Sequence, residues 1–336
     1  MKSLNPTGTA LCVLGMTILG SSVAVSRLIL DYPAMTGQAM RYALAAVALA
    51  ALLRVTRRAA IAGRPDGPAG PHDAARRRPG GRDLVLLAAL AAVGLVAFNL
   101  LLLSALRHAD AAIVGTVVGA APLGLALLGP LQRRARPATR LVSGAAVVVA
   151  GTALVHGGGD TDLIGMLAAV GALAGEVAFS LLAAAVLPRL GAVRVSAWSC
   201  ALAVPMLLLA AVLAGEPSRW RLPTAPEAWT LAYLALMLTV GAFLAWFTGL
   251  RLLGVERAGM FVGLLPVTTL ITASVQDARL PAAAQAAGVL VVALGLAVGL
   301  THRQRPDPVR LARTARPSPS GLASPEREVA MTNVTR

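Results

Sequence analysis

Ten apolar stretches divide this chain, near 9–30, 33–53, 83–105, 111–131, 139–156, 162–187, 194–214, 228–250, 257–276 and 282–301. Each has close to the ~20 residues that carry an α-helix across hydrocarbon. None alternates as a barrel strand does. A chain in hydrocarbon must satisfy every peptide group internally, so the pattern predicts an all-α polytopic membrane protein with ten transmembrane helices. The composition agrees, with 57% hydrophobic and 13% charged residues, about half the charge of a water-soluble domain. The first stretch follows a single Lys and lacks a small-residue cleavage site, so it reads as a retained span. Segment 54–82 is rich in Arg, Gly and Pro and is expected to be a flexible linker. The tail 302–336 has no apolar stripe and is expected to be disordered.

The net charge of +15 would suggest nucleic acid in a soluble protein. Here the arginines have another cause. With the N-terminus in the cytoplasm, sixteen arginines fall in the inner loops 54–82, 132–140, 188–194 and 251–257. Four, Arg107, Arg219, Arg221 and Arg279, fall outside, where Asp31, Asp110, Asp160, Asp162, Glu216, Glu227 and Asp277 gather. Such a bias orients membrane proteins. The expectation is a multi-pass protein of the bacterial cytoplasmic membrane with both termini in the cytoplasm. Its partners are the lipid bilayer and a small-molecule substrate, not nucleic acid. Trp220 and Trp229 flank the largest outer loop, at interfacial positions.

The most specific signal is an internal repeat. Arg107 and Arg251 are 144 positions apart, as are Pro122 and Pro266. The same ungapped shift superposes Leu106 on Leu250, Gly115 on Gly259, Gly119 on Gly263, Gly144 on Gly288 and Gly151 on Gly295. The motif L-R-x7-G-x3-G-x2-P thus occurs twice. A weaker echo, 155 apart, pairs Gly20 with Gly175 and Pro33 with Pro188. Each copy contains five spans, and an odd number inserts the second copy upside down. The expected organisation is two inverted five-helix repeats, 1–156 and 157–301, followed by the tail. Transporters use that arrangement to supply outward-open and inward-open states from one fold. The alternative is a non-transporting receptor or scaffold of the same fold.

These residues resemble the drug/metabolite transporter superfamily, and specifically the ten-span EamA-type permeases. Gly20-Ser-Ser-Val-Ala-Val-Ser-Arg27 is similar to the family's first-helix motif, and Arg41-Tyr-Ala-Leu-Ala-Ala-Val to its second-helix arginine and small-residue run. Asn99 through Pro122 resembles the third and fourth helices, and Phe243 through Pro266 repeats that pattern. The resemblance spans about residues 9–301. It implies a secondary transporter that exports a small metabolite, such as an amino acid, by alternating access. The family usually places a Gly-Glu pair after its fourth and ninth helices; this chain has Gln132-Arg133-Arg134 and Gln276-Asp277-Ala278 there.

Few charges fall at membrane depth. Glu176 lies about 13 residues into span 6, ~20 Å along the helix axis. A carboxylate there costs several kcal/mol unless it is paired, hydrated or protonated. It is a candidate substrate-ammonium site or proton-coupling group; the structural alternative is a carboxyl bonded to a neighbouring helix. Its counterpart at the 155 offset is Ser21. Arg41 is eight residues past Pro33 and has two readings. It meets a substrate carboxylate or Glu176, or it snorkels and ties helix carbonyls. Asn99 and Trp246 sit mid-helix, as a hydrogen-bonding group and a stacking wall for a ligand or as ordinary packing. Gly115, Gly119 and Pro122, with their twins Gly259, Gly263 and Pro266, are candidate bends or gates. Gly295-x-x-x-Gly299 offers a packing face for a homodimer.

Other chemistry lacks its residues. There is no G-x-x-x-x-G-K-[ST] loop, G-x-S-x-G elbow or H-E-x-x-H pair. Cys12 and Cys200 lie in apolar runs, and the four His residues have no ligand spacing. No enzyme activity, cofactor or metal is expected.

Overall fold

The computed structural model describes residues 5–29, 31–62, 79–276, 278 and 280–300. Among the described residues the chain forms ten helical rods: α1 (Pro6–Ser26), α2 (Ala34–Ala62), α3 (Gly81–His108), α4 (Ala111–Arg133), α5 (Thr139–His156), α6 (Leu163–Leu190), α7 (Ala192–Leu213), α8 (Ala225–Leu253), α9 (Val255–Gln276) and α10 (Ala283–Leu300). Rods α2 to α10 are long and apolar enough to cross a membrane, and α1 is a 21-residue helix of similar character. Among the described residues, extended structure is limited to one bridge, Ala109 to Thr161.

The linker expectation is corrected at its start: α2 runs through Ala62, so 54–62 is helical. Arg and Ala favour helix, and long arginines carry a helix past a membrane surface without burying charge. The rest of the linker, 63–78, and the tail 302–336 lie outside the described residues. Elsewhere the sequence marks its own helix ends. Asn5 accepts from the Gly8 amide at 3.2 Å, and Asp162 accepts from the Gly165 amide at 2.7 Å. Both are side-chain caps for orphan donors. Gly191 and Gly254 turn the chain between consecutive helices at φ 74° and 83°, a region that strains any residue with a Cβ.

The repeat is visible in the irregularities as well as in the rods. α3 carries a π-helical segment at Ala91–Ala97 and α8 one at Leu234–Gly241. Shifting the first by 144 lands on the second. α4 breaks at Gly119 and Ala120, between Ala111–Val118 and Ala121–Leu128. α9 breaks at the 3-10 turn Phe261–Gly263. Pro122 and Pro266 open the segments that follow, where a missing amide hydrogen costs little.

Packing obeys the same exchange. α2 lies on α7 and α5 on α10, while α1 packs on α8 and α9 as α6 packs on α3 and α4. Glycines set the α5–α10 crossing. A Cβ at Gly151 would stand 2.6 Å from the Val292 nitrogen and 2.8 Å from the Gly288 oxygen. A Cβ at Gly295 would stand 2.7 Å from the Val148 nitrogen and 2.8 Å from the Gly144 oxygen. Adding 144 to the first-repeat partner turns one contact into the other, the signature of a pseudo-two-fold axis between inverted halves. Close backbone approach at small residues is how helices associate where hydrophobic driving force is absent. The homodimer face expected at Gly295 and Gly299 is corrected by this contact. Gly144 of α5 and Met260 of α9 occupy it.

Candidate functional site

Glu176 sits midway along α6. Helical geometry turns each residue about 100°, which places Ala172, Gly175, Val177, Phe179, Ser180 and Ala183 around it, all buried. Glu176 itself is partly accessible. α3 closes one flank: a Cβ on Gly175 would lie 3.4 Å from the Val93 carbonyl, in the π segment. α4 closes the other, with Gly124 against the Val177 side chain. The carboxylate therefore faces the bundle interior. Among the described residues it has no hydrogen bond or ion pair. One turn further along, the Ser180 hydroxyl is buried and also without a partner. Phe179, Phe243 and Phe247 form an aromatic wall beside it, with ring centroids 5.4–5.7 Å apart.

Arg41 does not reach Glu176. Its Nη2 donates to the Tyr42 hydroxyl at 2.8 Å, and its guanidinium lies 4.6 Å from the centre of that ring. Its Nε and the Oε1 of Gln38, one turn earlier, are buried without hydrogen-bond partners. Asn99 donates to the Leu95 carbonyl at 2.5 Å, and Ser21 to that of Ile18 at 3.1 Å, so each bonds its own helix. Trp246 lies in the core at 4% exposure. Gly115 and Gly119 abut His156 and Thr152 of α5, Gly259 abuts Leu125 of α4, and Gly263 abuts Val148 of α5. Both helix breaks thus rest on α5 or on each other's repeat.

A cavity of about 470 Å³ opens at the Arg-rich end, between the ends of α4, α6 and α8 and the start of α9. Gln132, Arg133, Ala184, Arg251 and Glu256 line it. Ala184 is eight residues beyond Glu176, ~12 Å along α6. Glu256, 8% exposed, pairs with Arg133 across the two repeats. It supplies a carboxylate at the end of α4, where the Gly-Glu pattern is missing. Nearby, Asp83 pairs with Arg189 at 2.7 Å.

The acid-rich end is tied together by a seam of hydrogen bonds. Glu216, between α7 and α8, accepts from the Met35 and Thr36 amides at 2.9 Å each and from the Thr36 hydroxyl at 2.7 Å. Trp220 donates to that hydroxyl at 2.9 Å, and Tyr32 donates to the Arg221 carbonyl at 3.0 Å. Arg221 forks onto Glu227 at 2.5 and 2.7 Å. Burial pushes the Tyr32 phenol above its ordinary pKa. None of these contacts was singled out by sequence, although one was within reach. The 144 offset that pairs Arg107 with Arg251 also pairs Asp83 with Glu227, and each accepts a backbone amide at the start of its helix.

Comparison with known proteins fits this architecture. The model of the EamA-like transporter family matches residues 6–157 and again 163–301. YdeK, an uncharacterized transporter of Bacillus subtilis (strain 168), is 32% identical over 205 residues, covering 60% of this chain and 70% of YdeK. YetK, an uncharacterized transporter of the same organism, is 23% identical over 300 residues, covering 87% and 86%. One solved crystal structure superposes with a TM-score of 0.72 at 20% identity, covering 89% of this chain and 98% of its own, and shares the fold. The chain belongs to the EamA-like transporter family and is a multi-pass membrane transporter.

Proposed function

We propose that this EamA-like protein is a secondary carrier that exports a small metabolite, an amino acid or related compound, by alternating access between two inverted repeats. The observation that carries the reading is Glu176: an unpaired carboxylate at mid-depth, facing the bundle interior ~12 Å beyond a cavity at the Arg-rich end. Inverted repeats supply two related conformations, and a central ionisable group exposed to each side in turn couples them to a solute or a proton. The sixteen-to-four arginine bias orients the open end and both termini toward the cytoplasm. The breaks at Gly119 and Phe261–Gly263, with the two π segments, are the bends on which gating turns. Arg41 and Gln38, with buried orphan atoms in the closed half, become available to the solute when that half opens.

Glu176→Gln keeps the volume and removes the charge. In proteoliposomes offered a metabolite panel, flux falls to background while the variant stays inserted and folded. If Glu176 couples protons, wild-type flux is driven by a pH gradient. If it binds an amine directly, amines are preferred and the gradient is dispensable. Wild-type flux with unchanged pH dependence in Glu176→Gln would leave only a structural role. Ligand binding without flux in the wild type would point instead to a receptor of the same fold.

A further inference from the structure

One side of α6 leads from the cavity to Glu176. Ala184 lines the cavity. Ser180 stands one turn deeper and Glu176 one turn deeper again, each step ~6 Å along the same side of the helix. Ser180 is fully buried, yet its hydroxyl has no hydrogen-bond partner. Helical serines commonly return the hydroxyl to the carbonyl one turn back, as Ser22, Ser26 and Ser199 do here. A buried hydroxyl left alone costs free energy. One that stands beside an unpaired carboxylate calls for a ligand to both.

The third component is aromatic. Phe179 is three residues from Glu176, on the same side of α6. Its ring centroid lies 5.7 Å from that of Phe243 and 5.4 Å from that of Phe247, both on α8. Phe243, like Glu176, is partly accessible. Ring faces attract a cation and cover an apolar body. A positive charge is what this surface lacks. Glu176 has no ion pair among the described residues, and the Arg41 guanidinium is turned to Tyr42. A solute carboxylate brought here would stand unpaired beside another carboxylate, where little water screens the repulsion.

We infer that Glu176, Ser180 and the Phe243 ring form one binding site for a protonated amine on an apolar body that bears no carboxylate. The Glu176 carboxylate and the Ser180 oxygen accept N–H bonds from the ammonium group, and the phenylalanine wall covers the body. The inference rests on the carrier reading and narrows its solute to an organic cation.

The test is calorimetric titration of the full-length protein in nanodiscs with four probes: phenethylamine, phenethyltrimethylammonium, phenylalanine and hydrocinnamate. Phenethylamine is expected to bind about tenfold tighter than phenylalanine, and hydrocinnamate not to bind. Glu176→Gln abolishes binding of both cations. Ser180→Ala weakens phenethylamine about tenfold and leaves phenethyltrimethylammonium, which has no N–H to donate, unchanged. Removing an unpartnered buried hydroxyl does not harm folding, so the melting temperature of Ser180→Ala stays at or above that of wild type. Phe243→Leu weakens both cations about fivefold, and Phe243→Tyr retains them. Phenylalanine or hydrocinnamate binding as tightly as phenethylamine overturns the inference. So does equal weakening of both cations in Ser180→Ala, binding indifferent to Phe243→Leu, or no binding of any probe. Cation binding without flux of phenethylamine in proteoliposomes would remove the carrier reading and leave the site. Flux of other solutes by a protein that binds neither cation would remove the site and leave the carrier, so the two failures are distinguishable.

Discussion

The two ends of this molecule are built from equivalent residues and held in opposite ways. At the acid-rich end a single buried carboxylate, Glu216 at 3% exposure, ties the connection between α7 and α8 to the first turn of α2 with three hydrogen bonds. Trp220, Tyr32 and the Arg221–Glu227 fork add to that seam. At the Arg-rich end two ion pairs, Arg133 to Glu256 and Arg189 to Asp83, cross between repeats, the first of them beside a cavity of about 470 Å³. Equal halves joined about a pseudo-two-fold axis should have equal ends. The difference therefore lies in the state of the molecule and in the few residues that break the repeat.

The closed seam gives the larger expected effect. Glu216→Ala strands the Met35 and Thr36 amides and the Thr36 hydroxyl, and unsatisfied buried donors cost about 1–3 kcal/mol each at worst. Some regain water at the helix start, so a loss of about 2–4 kcal/mol in resistance to denaturation is expected. A thiol introduced as Ile29→Cys, in the short turn between α1 and α2, should react faster with a water-soluble thiol reagent in the Glu216→Ala background, and Glu216→Gln should lie between. Unchanged stability and an unchanged rate would mean the acid-rich end is held shut by something other than this seam.

The open end should respond more weakly. Arg133 is well exposed, so solvent screens its half of the pair. Arg133→Gln or Glu256→Gln is expected to cost about 1 kcal/mol, and access of a thiol reagent to an introduced Ala184→Cys should rise as the mouth loses one of its cross-repeat ties. The double exchange Arg133→Glu with Glu256→Arg should restore the slower rate. If it fails to, the two residues act separately and the contrast between the ends rests on Glu216 alone.

How much of this could be read beforehand follows from sequence separation. The ten rods were legible because each apolar run carries its own signal, and the inverted repeat because an ungapped shift needs no geometry. The helix breaks fall in the glycine–proline motif for the same reason. The π segments AAVGLVA and LALMLTVG carry no residue type that distinguishes them from ordinary helix. The ties at the two ends join residues far apart in the chain, 180 positions for Glu216 and Thr36 and 123 for Arg133 and Glu256. No local pattern announces such pairs. The expectation that Arg41 meets Glu176 failed for a related reason. Opposite charges in one bundle suggest a partner, but Tyr42, the next residue, reached the guanidinium first.

The smallest expected effect lies at the acid-rich end, where Asp162 caps α6. Its carboxyl is held below its ordinary pKa, first by the Gly165 amide and then by His108, whose Nδ1 is 2.9 Å away. A carboxyl that binds its proton more weakly in the folded chain stabilises the fold above its unfolded pKa, ~3.9. That contribution disappears as pH falls through the lower folded value. Both side chains stand in solvent, so the effect should be local. In Asp162→Asn the acid-side decline in melting temperature should be shallower than in wild type, because one titrating group is gone. Melting temperature near neutral pH should fall only slightly, since Asn still accepts from Gly165. Deuterium exchange should then quicken at the Asp162 amide, which bonds the His108 carbonyl at 3.2 Å, and leave the Glu216 seam untouched. Exchange spreading to Met35 and Thr36 would mean that the acid-rich end opens as one unit, and the contrast drawn between its parts would have to be redrawn.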